Sequence, residues 1–220
     1  MATQPPLRIG VLLIGAVQLL DTAPVDIFAM LSPEYLKACR LPAPLVAQGI
    51  PVEVIYISEA GVGNYAALTA NAGLRITASP TDDLALENNI DILFIPGPDP
   101  SDVPSEKIND YIRGHANAGT TILTVCTGIF PAAYAGILDG KLATGPRALV
   151  PELRNKFPDV KWVEKRWVND ADVWCSGGIT NGNDMVAAYL RKRWPGPVAE
   201  AVCAMADRNQ QWYPHVPQIK

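Results

Sequence analysis

The sequence predicts an α/β protein in which a mostly parallel sheet is covered by helices on both faces, a three-layer sandwich. Short apolar runs alternate along the chain with segments of helical periodicity, as expected for repeated strand and helix units. The length of 220 residues suits one large domain and is short for two. We therefore expect residues 1–220 to form a single domain that ends in a tail at residues 207–220.

Three strands are predicted in the first half of the chain, and the first is a continuous rather than alternating apolar run, which is typical of a strand buried in a parallel sheet. They are LRIGVLLI from Leu7, VEVIYIS from Val52 and DILFIPG from Asp91. After the first run we predict a helix that is capped by Asp21 or Thr22 and ends near Pro33. Residues 37–51 are expected to form an irregular insertion, and residues 61–76 a small hairpin at a sheet edge.

The second half of the chain continues the alternation. A helix is predicted over residues 105–119, with Ser105 as its N-cap and Gly119 at its end. The strand TTILTV follows and leads directly into Cys126. Beyond it the sequence predicts an alanine-rich helix, the short strand KLAT, the helix ALVPELRNKFP, two strands joined by a turn at residues 169–172, and two final helices.

Composition and charge exclude several classes of protein. Hydrophobic residues make up 49% of the chain and charged residues 18%, which argues against a disordered or fibrous protein. The net charge is -4 and the longest basic cluster is RKR at residues 191–193, so we expect no nucleic-acid partner. The apolar N-terminal run contains Gln18 and continues into DTAPVDIF, so we expect a strand there rather than a signal peptide, and no membrane association.

The four cysteines are widely spaced and form no CxxC motif, so neither a metal site nor a disulfide framework is predicted, and a reduced, cytoplasmic protein is expected. Cys175 and Cys203 are expected in the core, and Cys39 at the surface. His115 is expected to be structural, and His215 to lie on the surface of the tail. Three tryptophans alternate through the predicted strand pair and are expected to serve packing: Trp162, Trp167 and Trp174.

Cys126 is the most informative residue because it lies where a buried strand passes into a helix. Ligands of parallel sheets bind outside the carboxyl ends of the strands. A sharp turn there exposes the side chain, and the N-terminus of the next helix favours the thiolate, so we expect an ionised, nucleophilic Cys126. Asp21 follows the first strand and is expected at the same edge, where repulsion from the thiolate raises its pKa and lets it donate or relay a proton.

Four stretches carry a resemblance to a known family. They are LLIGAVQLLDTAPVDIF, DILFIPG, VCTGIFPAAYAGILDGKLAT and WCSGGITNGNDMVAAYL. Over most of its length the sequence resembles the ThiJ/PfpI family of the class I glutamine amidotransferase-like superfamily, and within it the branch that contains the isocyanide hydratases. The resemblance implies a flavodoxin-like form of the predicted sandwich, a nucleophile elbow at the cysteine, and a homodimer.

The resemblance also implies roles for particular residues. Cys126 would be the nucleophile, Asp21 its acid or base partner, and Thr127 a residue whose N–H or hydroxyl helps to hold the substrate. Isocyanide hydratases add water to an isocyanide carbon and release an N-substituted formamide, with no cofactor and no metal. Five further residues are expected to contact the small-molecule substrate: Gly97, Asp99, Gly128, Arg147 and Thr180.

The sequence departs from the family pattern at three places. Thr127 follows the cysteine where some relatives have a partner histidine, although the hydratase branch also has threonine. GPR follows KLAT where hydratases often have a His-Trp pair, so Arg147 is expected to supply a cation instead. The turn is PGP rather than Pro-Gly-Gly, and Pro98 has no N–H to donate. Gly97, Asp99 or the Thr127 N–H would then have to stabilise developing charge.

More than one function stays open at this point. The first prediction is a cofactor-independent hydro-lyase that uses Cys126 and Asp21 on a small electrophilic carbon such as an isocyanide. One enzymatic alternative is a glyoxalase III-like conversion of methylglyoxal to lactate. The others are a redox or metabolite sensor, in which Cys126 is oxidised to a sulfinate or the pocket binds a ligand without turning it over, and a diverged biosynthetic enzyme with a bulkier substrate.

Overall fold

The computed structural model describes residues 5–206, so the tail and His215 lie outside the described residues. The strands are β1 Leu7–Leu12, β2 Val52–Ile57, β3 Tyr65–Leu68, β4 Ala72–Arg75, β5 Ile92–Ile95, β6 Thr121–Val125, β7 Leu142–Ala143, β8 Lys161–Trp162, β9 Trp167–Asp170 and β10 Val173–Ser176. The helices are α1 Ala23–Ala29, α2 Pro33–Ala38, α3 Ala43–Val46, α4 Glu106–Asn117, α5 Ile129–Tyr134, α6 Val150–Lys156, α7 Thr180–Arg193 and α8 Pro197–Met205.

A six-stranded sheet in the order β2-β1-β5-β6-β10-β9 forms the centre of the molecule. All neighbours are parallel except β9, which runs antiparallel to β10 at one edge. The two central strands β5 and β6 are almost wholly buried, which explains their continuous apolar sequences. The predicted α/β sandwich with a mostly parallel sheet is therefore confirmed.

Hydrophobic residues fill both faces of this sheet, because successive side chains of each strand point to opposite sides. On one face Phe94 packs in a cluster with Phe28 of α1 and Tyr189 of α7. On the other face its neighbour Leu93 packs with Ile112 of α4. A third cluster, around α5 and α6, covers the β10 end of the sheet. Helices thus cover both faces, and the carboxyl ends of the strands are left for a site.

The structure corrects the predictions for the segment after the first strand. Pro33 begins α2 instead of ending the preceding helix, because a proline is well suited to the first turn and Ser32 Oγ accepts from Tyr35 N at 3.3 Å. The insertion predicted to be irregular holds the end of α2 and the short α3. Neither Asp21 nor Thr22 caps α1 with its side chain.

Two small sheets flank the central one. The predicted hairpin of β3 and β4 is a separate two-stranded sheet rather than an extension of the main sheet. Val17 joins this hairpin to the turn after β5, since it is bridged to Leu68 on one side and to Pro98 on the other. The strand in KLAT, β7, pairs with β8 in the second small sheet. Residues 161–162 therefore do not belong to the strand pair that was predicted for them.

Several residues with structural predictions are placed as expected. His115 is fully buried, with Nδ1 3.1 Å from Thr120 Oγ1 and Nε2 3.1 Å from the Ala85 carbonyl. Cys175 and Cys203 are buried. The remaining cysteine outside the site, Cys39, is exposed, and Trp162, Trp167 and Trp174 pack within or against the core. Among the helices of residues 5–206, none is both long and apolar enough to cross a bilayer.

Candidate active site

Cys126 lies at a sharp turn between β6 and α5. The strand ends at Val125, residues 126–128 form one 3-10 turn, and α5 begins at Ile129. The backbone φ of Cys126 is +56°, in the left-handed region that side chains other than glycine rarely adopt. Holding a cysteine there costs on the order of 1–2 kcal/mol. This strained backbone turns the side chain out of the sheet, where it is partly open to solvent.

The turn keeps its shape through close backbone contacts. Cys126 N donates to the Gly177 carbonyl at 3.0 Å, which ties it to the loop after β10. Gly128, expected to contact substrate, lies against the end of β5, where a Cβ would stand 2.1 Å from the Ile95 carbonyl oxygen. Only glycine permits this approach. The structure thus gives Gly128 a packing role, and its contact with substrate stays a prediction.

Asp21 follows β1 in a 3-10 turn and is wholly buried. Its Oδ2 accepts from Gly97 N at 3.2 Å, and its carboxylate accepts from the Cys126 thiol. The other oxygen, Oδ1, has no hydrogen-bond partner among the described residues. Burial raises the pKa of Asp21 from 3.8 to about 7, although the bonds from Gly97 and Cys126 offset part of the shift. Asp21 can therefore take up or release a proton near neutral pH.

The expectation that Cys126 rests as a thiolate is wrong. Burial, followed by the charge of Asp21, raises the pKa of Cys126 to about 11. The Thr127 N–H, which bonds to the sulfur, lowers the pKa of Cys126 by less than these causes raise it. The helix that was expected to favour the anion has only six residues. At neutral pH the sulfur is a thiol, and Asp21 is the group placed to remove its proton.

Hydrogen bonds hold the loop at Pro98 against Asp21 and Thr127. Thr127 Oγ1 donates its single proton to the Pro98 carbonyl at 2.6 Å, although it also lies near the sulfur. Gly97 N already serves Asp21, so it is not free to stabilise a substrate. A Cβ on Gly97 would lie 2.4 Å from Asp21 Oδ2 and 2.5 Å from Thr127 Oγ1. The structure therefore makes Gly97 a spacer that lets Asp21 and Thr127 approach each other.

Three other predicted substrate residues lie at the surface. Asp99 is exposed, and its Oδ1 accepts from the N–H and hydroxyl of Ser101, which lowers its pKa and stabilises its own turn. Arg147 is 90% exposed and forms an ion pair with Glu164 at 3.6 Å. Thr180 is exposed at the first residue of α7. Their contacts with substrate stay predictions.

A cleft of about 410 Å³ opens at the same end of the sheet. Its lining includes Gly177, whose carbonyl accepts from Cys126 N, so the cleft borders the elbow. The lining residues are Thr144, Gly145, Arg147, Glu164, Lys165, Arg166, Gly177, Gly178 and Asn181. Sequence reasoning found Arg147 but missed Lys165 and Arg166. The signal in the sequence is the basic pair in EKRW at residues 164–167, which lies inside the predicted strand pair.

Within residues 5–206 no group of three or more His, Cys, Asp or Glu side chains is arranged to hold a metal ion. The elbow places a thiol beside a buried carboxyl group. Such a pair can add sulfur to an electrophilic carbon and carry the proton that this addition displaces.

Comparison with known proteins places the chain in a family. The family model described as the DJ-1/PfpI family matches residues 33–192. The chain belongs to the DJ-1/PfpI family. The curated isonitrile hydratase of Pseudomonas putida is 30% identical over 193 residues, an alignment that covers 84% of this chain and 72% of that protein. Isonitrile and isocyanide are two names for the same functional group.

Solved structures show the same DJ-1/PfpI fold at lower identity. A ThiJ/PfpI family protein from Pseudomonas syringae has a TM-score of 0.72 at 18% identity, covering 97% of this chain and 78% of that chain. An AraC family transcriptional regulator from Pseudomonas putida has a TM-score of 0.73 at 14% identity, covering 91% of this chain and all of the other. The same fold thus occurs in a transcriptional regulator, so function has to be argued from the site.

Proposed function

We propose that this DJ-1/PfpI protein is a cofactor-independent hydro-lyase that converts an isocyanide and water into an N-substituted formamide. The observation that carries the proposal is the contact between the Cys126 thiol and the fully buried Asp21 carboxyl group, each of which shifts the pKa of the other. The 30% identity to an isonitrile hydratase supports the same chemistry.

The first half of the reaction adds the thiol across the terminal carbon of the isocyanide. Asp21 accepts the proton of Cys126, and the sulfur forms a bond to the isocyanide carbon as that carbon receives the proton from Asp21. The product is a thioimidate, in which the carbon bears one hydrogen, the sulfur and a double bond to nitrogen. A carboxyl group with a pKa of about 7 is suited to both transfers, because it exchanges protons readily at neutral pH.

The second half releases the formamide. In this scheme the attacking water donates a hydrogen bond to Asp21 Oδ1, a buried oxygen that lacks a partner among the described residues. Water adds to the thioimidate carbon and the nitrogen takes up one of its protons. The carbon–sulfur bond then breaks, the carbonyl forms, and the remaining proton returns through Asp21 to the sulfur. No net oxidation occurs, and the enzyme regains its starting protonation.

The raised pKa of Cys126 argues against the redox-sensor alternative. Oxidation to sulfenic and sulfinic acid begins from the thiolate, and a thiol with a pKa of about 11 supplies little of it at neutral pH. In the hydratase scheme the neutral thiol is an advantage, because its proton is the one that the substrate carbon needs.

The test is to incubate the protein with aryl and alkyl isocyanides and to measure formamide by chromatography and mass spectrometry. We expect turnover by the wild type and a loss of at least about a hundredfold for Cys126→Ser and for Asp21→Asn. Cys39→Ser, which changes an exposed cysteine outside the site, is the matched control and should keep full activity. Full activity of Cys126→Ser, or conversion of methylglyoxal to lactate without any isocyanide turnover, would overturn the proposal.

A homodimer acting on a small molecule is part of the proposal. Leu20 and Tyr65 are large hydrophobic residues that are 55% and 69% exposed, and they lie on the turn of Asp21 and on β3. Sedimentation velocity of the wild type tests this part, since a monomer at micromolar concentration would contradict it.

A further inference from the structure

The cleft beside the elbow is positively charged on an otherwise acidic protein. Lys165 and Arg166 line it together with Arg147, and Glu164 is the carboxylate among its lining residues. Glu164 is already paired with Arg147 at 3.6 Å and lies 3.8 Å from Arg154. The whole chain carries a net charge of -4, so this concentration of cations is local.

Lys165 and Arg166 are the two cations of the lining that do not pair with Glu164. Arg166 pairs with Asp184 on α7, which fixes its guanidinium at the rim. Lys165 forms no ion pair with the residues that the structure describes. The cluster contains two carboxylates, Glu164 and Asp184, and four cations: Lys165, Arg166, Arg147 and Arg154. Its formal charge is therefore +2.

Backbone groups in the cleft add to the positive potential. Gly178 and Asn181 line it at the start of α7, a helix of fourteen residues whose first turn receives no side-chain cap. The N-terminus of a long helix carries unpaired N–H groups and a partial positive charge. At Gly178 nothing lies within 4 Å of the position of a Cβ, so a ligand can approach this backbone closely.

The cleft and the nucleophile share one wall. Gly177 lines the cleft while its carbonyl accepts from Cys126 N at 3.0 Å, so a single residue connects the cleft to the backbone of the elbow. Building on the proposed hydratase function, we propose that the preferred substrates are isocyanides with an anionic group, such as a carboxylate, which binds at Lys165 and Arg166. Neutral isocyanides of the same size are then poorer substrates.

The experiment compares two probes that differ in charge, 4-isocyanobenzoate and 4-tolyl isocyanide. We expect kcat/KM of the wild type to be at least about tenfold higher for the carboxylate. Lys165→Gln should raise KM for 4-isocyanobenzoate about five- to tenfold, while kcat and the values for the tolyl compound stay unchanged. Lys161→Gln is the matched control, because Lys161 is an exposed lysine on β8 that does not line the cleft.

Salt gives an independent readout. Raising the ionic strength from about 0.05 M to about 0.5 M should increase KM for the anionic probe and leave the neutral probe unaffected, because screening weakens the contact with exposed cations. Equal kcat/KM for both probes in the wild type, or equal loss on both in Lys165→Gln, would refute the inference while leaving the hydratase proposal intact.

If neither probe is turned over, the hydratase proposal fails, and the cleft is tested separately by titrating the protein with benzoate in a calorimeter. Binding that Lys165→Gln weakens and Lys161→Gln does not would support an anion site beside Cys126. Absence of benzoate binding, or equal binding by the two variants, would refute the anion site as well.

Discussion

Replacing Asp21 by asparagine should stabilise the protein at pH 8 while it removes activity. Asp21 is wholly buried, and its pKa is raised from 3.8 to about 7. Up to about pH 7 the folded chain holds a proton that the unfolded chain releases near pH 4, so protonation stabilises the fold at low pH. That stabilisation is lost progressively from about pH 4 up to the folded pKa of about 7. Asparagine has no such proton to lose.

The size of the effect follows from the two pKa values. From pH 5 to the folded pKa of about 7, the free energy of unfolding of the wild type falls by about 1.4 kcal/mol per pH unit because of Asp21. Above about pH 7 this contribution no longer changes. The free energy of unfolding of Asp21→Asn, relative to wild type, should therefore increase by about 2–3 kcal/mol over this range. The variant keeps an oxygen that can accept from Gly97 N, so we expect the turn to remain folded.

Urea denaturation at pH 5, 6, 7 and 8 measures this difference. Taking the difference between variant and wild type removes the titration of groups common to both, including the buried His115. Asp99→Asn is the matched control: Asp99 is exposed and its pKa is lowered, so its difference from wild type should stay flat over the range. A flat difference for Asp21→Asn would show that the carboxyl group is not held protonated by burial, and the proton-transfer scheme would lose its basis.

Two further predictions concern the same pair. The rate of Cys126 alkylation by iodoacetamide, measured by peptide mass spectrometry, should rise in the wild type as the pH approaches about 11. Asp21→Asn should shift this profile to lower pH, because the charge that raises the Cys126 pKa is gone. An unshifted profile would contradict the contact between the two residues. Gly97→Ala places a methyl group 2.4 Å from Asp21 Oδ2. We therefore expect kcat/KM to fall at least about tenfold and the free energy of unfolding to fall by about 1–3 kcal/mol. Unchanged kinetics would disprove the spacer role of Gly97.

The sequence was sufficient to predict where Cys126 and Asp21 stand. Each follows a continuous apolar run, and such runs become parallel strands whose carboxyl ends meet at one edge of the sheet. The sandwich itself followed from the same periodicity. These predictions succeeded because they depend on local pattern and on a rule of topology, which a single chain displays directly.

The protonation states could not be predicted, because they depend on how deeply neighbouring elements bury the pair. The helix after Cys126 favours a thiolate, and only the structure shows that burial and Asp21 outweigh it. The cleft was missed for a related reason. Lys165 and Arg166 come near Gly177 because β9 pairs antiparallel with β10, and the adjoining β8 leaves the sheet to pair with β7. The β9–β10 hairpin was predicted from its turn, but the pairing of β7 with β8 joins distant segments and has no local signature.

The left-handed backbone at Cys126 has a consequence for how this position evolves. A glycine there would relieve the strain that a side chain incurs. In a lineage that no longer needs the thiol, replacement of Cys126 by glycine would thus stabilise the protein in a single step. A cysteine that persists at this position is maintained against the preference of the backbone. Its retention in a descendant of this protein would therefore indicate that the thiol is still used.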